Sequence, residues 1–229
     1  MTDADSGTDA DSDTTAGSDA EAVSSTDAGS DTGNATATGE RDTNRHGLAT
    51  LNDAEWSIID SVAEYETGWF TGGYDLVEQP DGSTKRYYWA ELPPAAVIVA
   101  VTDGELLFVE QYRPTIRETQ YELPAGIVEP DESFCEAAAR ELQEEVGFSP
   151  GETELLQDFW CSTGLLRHRR GIVLATDLSE AARTLDSNEF LVPKSVPVGE
   201  ALSVARSQPT NDATLEGVLL AKENGVLRR

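Results

Sequence analysis

The chain has 229 residues, with 43 Asp and Glu against 16 Lys and Arg and a formal net charge of −27. That length suffices for one or two domains with a buried core. So acidic a composition argues against non-specific binding to nucleic acid or to a membrane surface, because both partners are themselves anionic.

From Met1 to Glu40 the sequence is almost wholly Asp, Ser, Thr, Ala and Gly, with no Lys or Arg and only Val23 as a sizeable apolar residue beyond Met1. Such a stretch cannot bury enough surface to offset the chain entropy lost on folding, so residues 1–46 are expected to form a disordered acidic tail. Its start lacks the basic region and apolar run of a signal peptide. A solvated tail is the simple reading, and a targeting or partner-binding role is the alternative. The acidity continues beyond it, since residues 41–229 keep 33 acidic against all 16 basic side chains, thirteen of them Arg beside Lys85, Lys194 and Lys222. Concentrated salt screens the self-repulsion of such a surface. The balance therefore suggests a halophilic protein of a salt-rich cytoplasm, although an ordinary acidic protein also fits.

Residues 47–92 are expected to form a small antiparallel sheet. The segment from Trp56 to Leu92 is rich in aromatic and β-branched residues, and Pro80-Asp81-Gly82 marks a turn between strands at 73–77 and 86–91. Pro93 and Pro94 end it, because neither can donate to a ladder. A second hairpin follows, with strands at 95–101 and 106–112 around Asp103-Gly104. The first of these strands is apolar on both faces, as a central strand is. The uninterrupted apolar run 93–101 is far too short to span a bilayer, and the protein reads as soluble and cytoplasmic.

A helix is predicted over 134–146, where Ser133 and Glu136 fit a capping box and Gly147 stands at the left-handed position that ends a helix. Further strands are expected at 155–161, 171–176 and 190–192. Helices are expected at 199–206 and from an N-cap at Asn211 or Asp212 to about Lys222. Interleaved strands and helices with a hairpin predict an α/β (α+β) fold over 93–229, a mixed β-sheet covered by helices. Cys135 and Cys161 are too few for a disulfide framework or a zinc site, and are expected to be free and buried.

The helix at 134–146 carries the chemistry. At 100° per residue, Phe134, Cys135, Ala138, Leu142 and Val146 form one apolar stripe. On its edge lie Glu141 and Glu145, roughly 40° apart, and Glu144 widens the acidic strip to roughly 100°. Like charges one turn apart repel, and only Arg140, beside Glu144, offers local relief. Converging carboxylates suit a hard cation such as Mg²⁺ or Mn²⁺; a merely solvated acidic face is the alternative.

The flanking residues decide between these. Gly126, five residues, Glu132, seven residues, then Arg140-Glu141-Leu142-Gln143-Glu144-Glu145-Val146-Gly147-Phe148 resembles the Nudix box at every fixed position and spacing. The resemblance implies a Nudix α/β/α sandwich in which Glu141, Glu144 and Glu145 hold divalent metal and serve as catalytic residues. Glu132 and Arg140 would orient loop and helix, and Gly126 would permit close backbone approach. The implied reaction is attack of water on a phosphorus of a nucleoside diphosphate linked to another group.

The segments Gln111-Tyr112-Arg113-Pro114 and Glu122-Leu123-Pro124-Ala125-Gly126 resemble the ADP-ribose pyrophosphatase branch. That likeness implies that the Ala125 carbonyl joins the metal ligands and that Arg113 contacts substrate phosphates. It also implies that the small sheet builds a homodimer and contributes to the neighbour's site. Trp69 is a candidate to stack on adenine, or else an ordinary aromatic of the sheet core. Where that branch shows a Ser-Pro-Gly turn followed by an acidic residue, this chain has Ser162-Thr163-Gly164-Leu165-Leu166-Arg167-His168-Arg169-Arg170, with no carboxylate between Gly164 and Thr176. His168 could act as general base there. A box glutamate is the preferred base, because three arginines beside His168 weaken its basicity. Arg167 and its neighbours could bind substrate phosphate, or pair with the protein's own carboxylates. Hydrolysis of ADP-ribose or a related nucleotide sugar is the leading expectation. The alternatives are another Nudix substrate, such as a dinucleotide or an oxidised nucleotide, and a catalytically silent ADP-ribose-binding regulator.

Overall fold

The computed structural model describes residues 55–185 and 189–227, which belong to one compact unit spanning 52–229. The tail expected at 1–46 and the first residues of the expected small sheet lie outside the described residues.

Strands β1 (Ser57–Glu66), β2 (Thr71–Glu78) and β3 (Thr84–Glu91) form an antiparallel meander. The expected strand at 73–77 is the centre of β2, where Gly73, Asp75 and Val77 alternate inward. The second hairpin consists of β4 (Ala95–Thr102) and β5 (Glu105–Arg113), joined through Asp103 and Gly104, both at positive φ. It differs from the expected ladder, because only Val101 with Leu106 and Thr102 with Glu105 are paired. Beyond those rungs β5 takes β6 (Glu118–Glu122) and β4 takes β7 (Ala125–Ile127). The Ile98 N–H donates to the Pro124 carbonyl at 2.8 Å, so the chain around Pro124 occupies the edge that β5 would have filled.

Helix α1 (Phe134–Glu141) begins with the expected capping box between Ser133 and Glu136. It does not run to Val146 as α-helix. Leu142–Val146 is a π-helical turn, closed by Gly147 at φ 83°. After it come β8 (Phe148–Ser149), β9 (Glu152–Trp160), β10 (Leu166–Arg167), β11 (Arg169–Thr176), β12 (Ser179–Glu180) and β13 (Leu191–Pro197). Helix α2 (Ala201–Ala205) is shorter than expected, and α3 (Asp212–Glu223) is capped by the Asn211 side chain, which accepts from the Thr214 N–H at 2.8 Å.

The main sheet has the order β13-β5-β4-β11-β9, with β6 on β5 and β7 on β4. Its β4–β11 pair is parallel, which makes the sheet mixed, as expected. Strand β4 is buried on both faces. Ala96, Ile98 and Ala100 pack with Ala137, Ala138, Leu142 and Val146, whereas Val97 and Val99 pack with Ala201, Ala205, Val218 and Ala221. Alternate residues thus serve two cores, one under α1 and one under α2 and α3, which is the α/β/α sandwich. Fully burying side chains such as Ile98, Phe108 and Leu142 stabilises the sandwich by about 1.5–3 kcal/mol each. Cys161 is buried and Cys135 only half-buried, and both are free. Among the described residues no helix is long and apolar enough to cross a membrane.

Candidate metal and substrate site

Gly126 on β7 faces the acidic helix so closely that a Cβ there would lie 1.8 Å from the Glu141 carboxyl carbon. Only glycine lets the strand and that carboxylate share the space. One residue earlier, the Ala125 N–H donates to Glu145 at 3.0 Å. Glu141 and Glu145 are both buried, although both are charged side chains in isolation. Glu189, half-buried and just ahead of β13, completes the group: one oxygen from each of the three carboxylates lies within 4.8 Å of the others.

This triad differs from the expected Glu141, Glu144 and Glu145. Glu144 is 40% exposed and ion-paired with Arg140 at 3.1 Å, outside the tight group. Glu141 and Glu145, one turn apart, share a face, whereas Glu144 shares the neighbouring face with Arg140. Arg140 ties the loop to the helix. It reaches both Glu132 oxygens at 3.0 Å, the Ile127 carbonyl at 2.8 Å and Glu141 at 2.8 Å. Those bonds hold Glu132 below the usual carboxylate range. Burial raises Glu141, against the lowering effect of Arg140, with Glu144 and Glu189 adding repulsion. Burial pushes Glu145 up to about 8, with Glu141 and Glu189 adding to it and the Ala125 N–H and Arg113 opposing it.

Three carboxylates forced together under a strand are costly as bare anions and become favourable around a divalent cation. The all-oxygen donor set fits a hard ion such as Mg²⁺ or Mn²⁺.

On the other side of β7 lies a cleft of about 420 Å³, whose lining includes Arg113, Glu122, Gly126, His168, Arg170 and Thr214. Arg113 is 44% exposed and ion-paired with the buried Glu122, whose two oxygens both accept from its Nε. That bond raises the Arg113 pKa above its ordinary value. His168 Nδ1 lies 2.8 Å from the Pro93 carbonyl, so this nitrogen carries a proton and the other is left as the acceptor. Burial lowers its pKa, and Arg170 lowers it further against the raising effect of the Pro93 bond.

The arginine cluster is committed to the protein's own carboxylates. Arg167 pairs with Asp75 and stands 4.0 Å over the Trp89 ring. Arg169 pairs with Asp158, and Arg170 with Asp212 and Glu216 at 3.2 and 3.3 Å. Arg167, expected as a phosphate ligand, therefore lines a separate small pocket with Asp75 and Trp89. It is brought there by β10, which pairs in parallel with β3. Trp69 is 65% exposed on the turn between β1 and β2, so it is no core aromatic, and it does not line the cleft.

Sequence reasoning missed Glu189 because nothing around it is periodic or motif-like. The available signal was negative: no carboxylate follows Gly164 in the loop where one was sought, so any such acid had to come from further along.

Residues 91–217 match the NUDIX domain. The chain is 34% identical over 140 residues to the ADP-ribose pyrophosphatase of Bacillus subtilis (strain 168), covering 60% of this chain and 76% of that protein. It is 33% identical over 174 residues to the ADP-ribose pyrophosphatase of Mycobacterium tuberculosis, covering 74% of this chain and 84% of its relative. The fold is shared with a crystal structure of an ADP compounds hydrolase at a TM-score of 0.68 and 24% identity, covering 73% of this chain and 92% of the other.

Proposed function

We propose that this chain, which belongs to the NUDIX-domain family, hydrolyses the pyrophosphate bond of ADP-ribose or a related nucleoside diphosphate sugar, yielding a nucleoside monophosphate and a sugar phosphate. The observation that carries the proposal is the tight group of Glu141, Glu145 and Glu189 behind Gly126, beside a cleft that holds Arg113.

Those three carboxylates would hold Mg²⁺ or Mn²⁺, joined by Glu144 as the box resemblance implies and by the Ala125 carbonyl as the likeness to the ADP-ribose pyrophosphatase branch implies. When bound, the ion supplies charge neutralisation on the phosphate oxygens and a water of lowered pKa. Arg113, oriented by Glu122, presents its exposed guanidinium edge to a substrate phosphate. A carboxylate of the cluster accepts the proton of the attacking water. His168 is set aside as base, because its burial and the neighbouring Arg170 hold it to weak basicity. An acidic group gathered this tightly favours hydrolysis over a silent regulator.

The exposed apolar residues of the small sheet, Ile58, Ile59, Tyr65, Trp69 and Tyr88, favour a homodimer through that sheet. Trp69 would then serve the site of a second copy. The acidic balance favours a salt-rich cytoplasm.

The test is a substrate screen with Mg²⁺ or Mn²⁺ in molar KCl and in dilute buffer. ADP-ribose or another nucleotide sugar is expected to be cleaved to a nucleoside monophosphate. Cleavage of dinucleotides or oxidised nucleotides alone would replace the substrate assignment.

A further inference from the structure

We propose that Arg183 is a positioning residue that sets the span between the two halves of the acidic site, bringing Glu189 to Glu141 and Glu145. The proposal rests on the metal reading given above. Its Nε donates to the Glu145 carbonyl at 2.6 Å, and its Nη2 donates to the Leu191 carbonyl at 2.8 Å. One guanidinium thus joins the backbone of a buried helix carboxylate to the first residue of β13, two positions after Glu189.

The surrounding bonds hold Arg183 where this is possible. Strand β12 pairs with β8, Ser179 opposite Ser149 and Glu180 opposite Phe148. The Ala181 N–H then reaches the Gly147 carbonyl at 2.9 Å, and the Thr184 N–H reaches the Glu144 carbonyl at 3.3 Å. Gly147 contributes space as well as its positive φ, because a Cβ there would come within 3.3 Å of the Arg183 Cβ. The last carbonyls of a helix lack partners within it, and Arg183 satisfies the one that belongs to Glu145.

A simple helix-end role would need one hydrogen bond and a positive charge, which lysine also provides. The second bond, to Leu191, is what the planar fork adds. It fixes the distance from the π-turn to β13, and with it the reach of the Glu189 carboxylate.

The two roles separate in a double-mutant cycle on the full chain, with Mn²⁺ affinity read by electron paramagnetic resonance. Arg183→Ala is expected to weaken Mn²⁺ binding by about 10- to 100-fold, the range seen when residues supporting metal ligands are removed. Arg183→Lys should behave likewise. In a Glu189→Gln background, Arg183→Ala should add less than about twofold, because both changes remove the same interaction. Unchanged Mn²⁺ affinity in Arg183→Ala and Arg183→Lys, or losses that multiply in the double variant, would overturn the proposal. Circular dichroism monitors folding; if Arg183→Ala does not fold, Arg183→Lys and Arg183→Gln carry the same comparison. A wild type that binds no Mn²⁺ would instead sink the metal reading and this proposal with it.

Discussion

Replacing Glu145 by Gln should stabilise the metal-free protein at neutral pH while destroying its response to metal. The folded Glu145 carboxyl is pushed up to about 8 from an ordinary 4.5. A raised pKa means that the folded state holds a proton that the unfolded chain releases. Below pH 4.5 the group is neutral in both states and costs nothing. As pH rises from there, the unfolded chain ionises and stability falls by about 1.4 kcal/mol per pH unit until the folded group also titrates. At pH 7 the cost reaches about 3 kcal/mol by the same linkage. Glutamine is neutral throughout and keeps an oxygen for the Ala125 N–H, which now donates to Glu145 at 3.0 Å. The variant should therefore melt roughly 6–12 °C higher than wild type at pH 7 in chelator, at about 2–4 °C per kcal/mol for a chain of this size. At pH 5.5 the gap should shrink to roughly two fifths, following the same slope. Adding Mn²⁺ should reverse the order, because only the wild type offers the full carboxylate set and gains by linkage. Thermal unfolding by circular dichroism across pH 5.5–8 at fixed KCl measures this. A metal-free wild type as stable as the variant at pH 7, or a gap that does not widen with pH, would refute the reasoning.

Gly126→Ala should force the Glu141 carboxylate away from its place, since the added carbon would meet it at 1.8 Å. Kinetics and Mn²⁺ titration should show at least about a tenfold loss in both kcat and metal affinity, with about 1–3 kcal/mol of destabilisation from overpacking. His168→Ala should lower kcat less than about tenfold, because a general base contributes at least about a hundredfold; a larger loss in kcat with its pH dependence abolished would restore the histidine as base.

What was legible in the sequence was local. The capping box at Ser133 and Glu136, the left-handed Gly147 and the N-cap at Asn211 depend on residues a few positions apart, and all three are present in the structure. The box from Gly126 to Phe148 likewise announced that a loop and a helix would meet around carboxylates. What was not legible depends on distant partners. Arg167 finds Asp75 across 92 residues of sequence, and no periodicity encodes that meeting. The β4–β5 ladder was overpredicted because a turn signal fixes only the first rungs, whereas the competing bond from Ile98 to Pro124 is set by the tertiary fold. Glu144 and Glu145 are neighbours of the same chemistry, and helical spacing alone turns one towards Arg140 and the other, with Glu141, under β7.

The early parting of β4 and β5 also bears on how the protein is made. Strand β4 completes its edges with β7 and with β11, and β5 completes its outer edge with β13. A chain emerging from the ribosome amino-terminus first has its acidic helix long before the strand that follows Glu189 can dock. Pairings so far apart in sequence form slowly. Three converging carboxylates thus exist only once the sheet has closed, and a divalent ion held there would stabilise the finished fold rather than template its early stages.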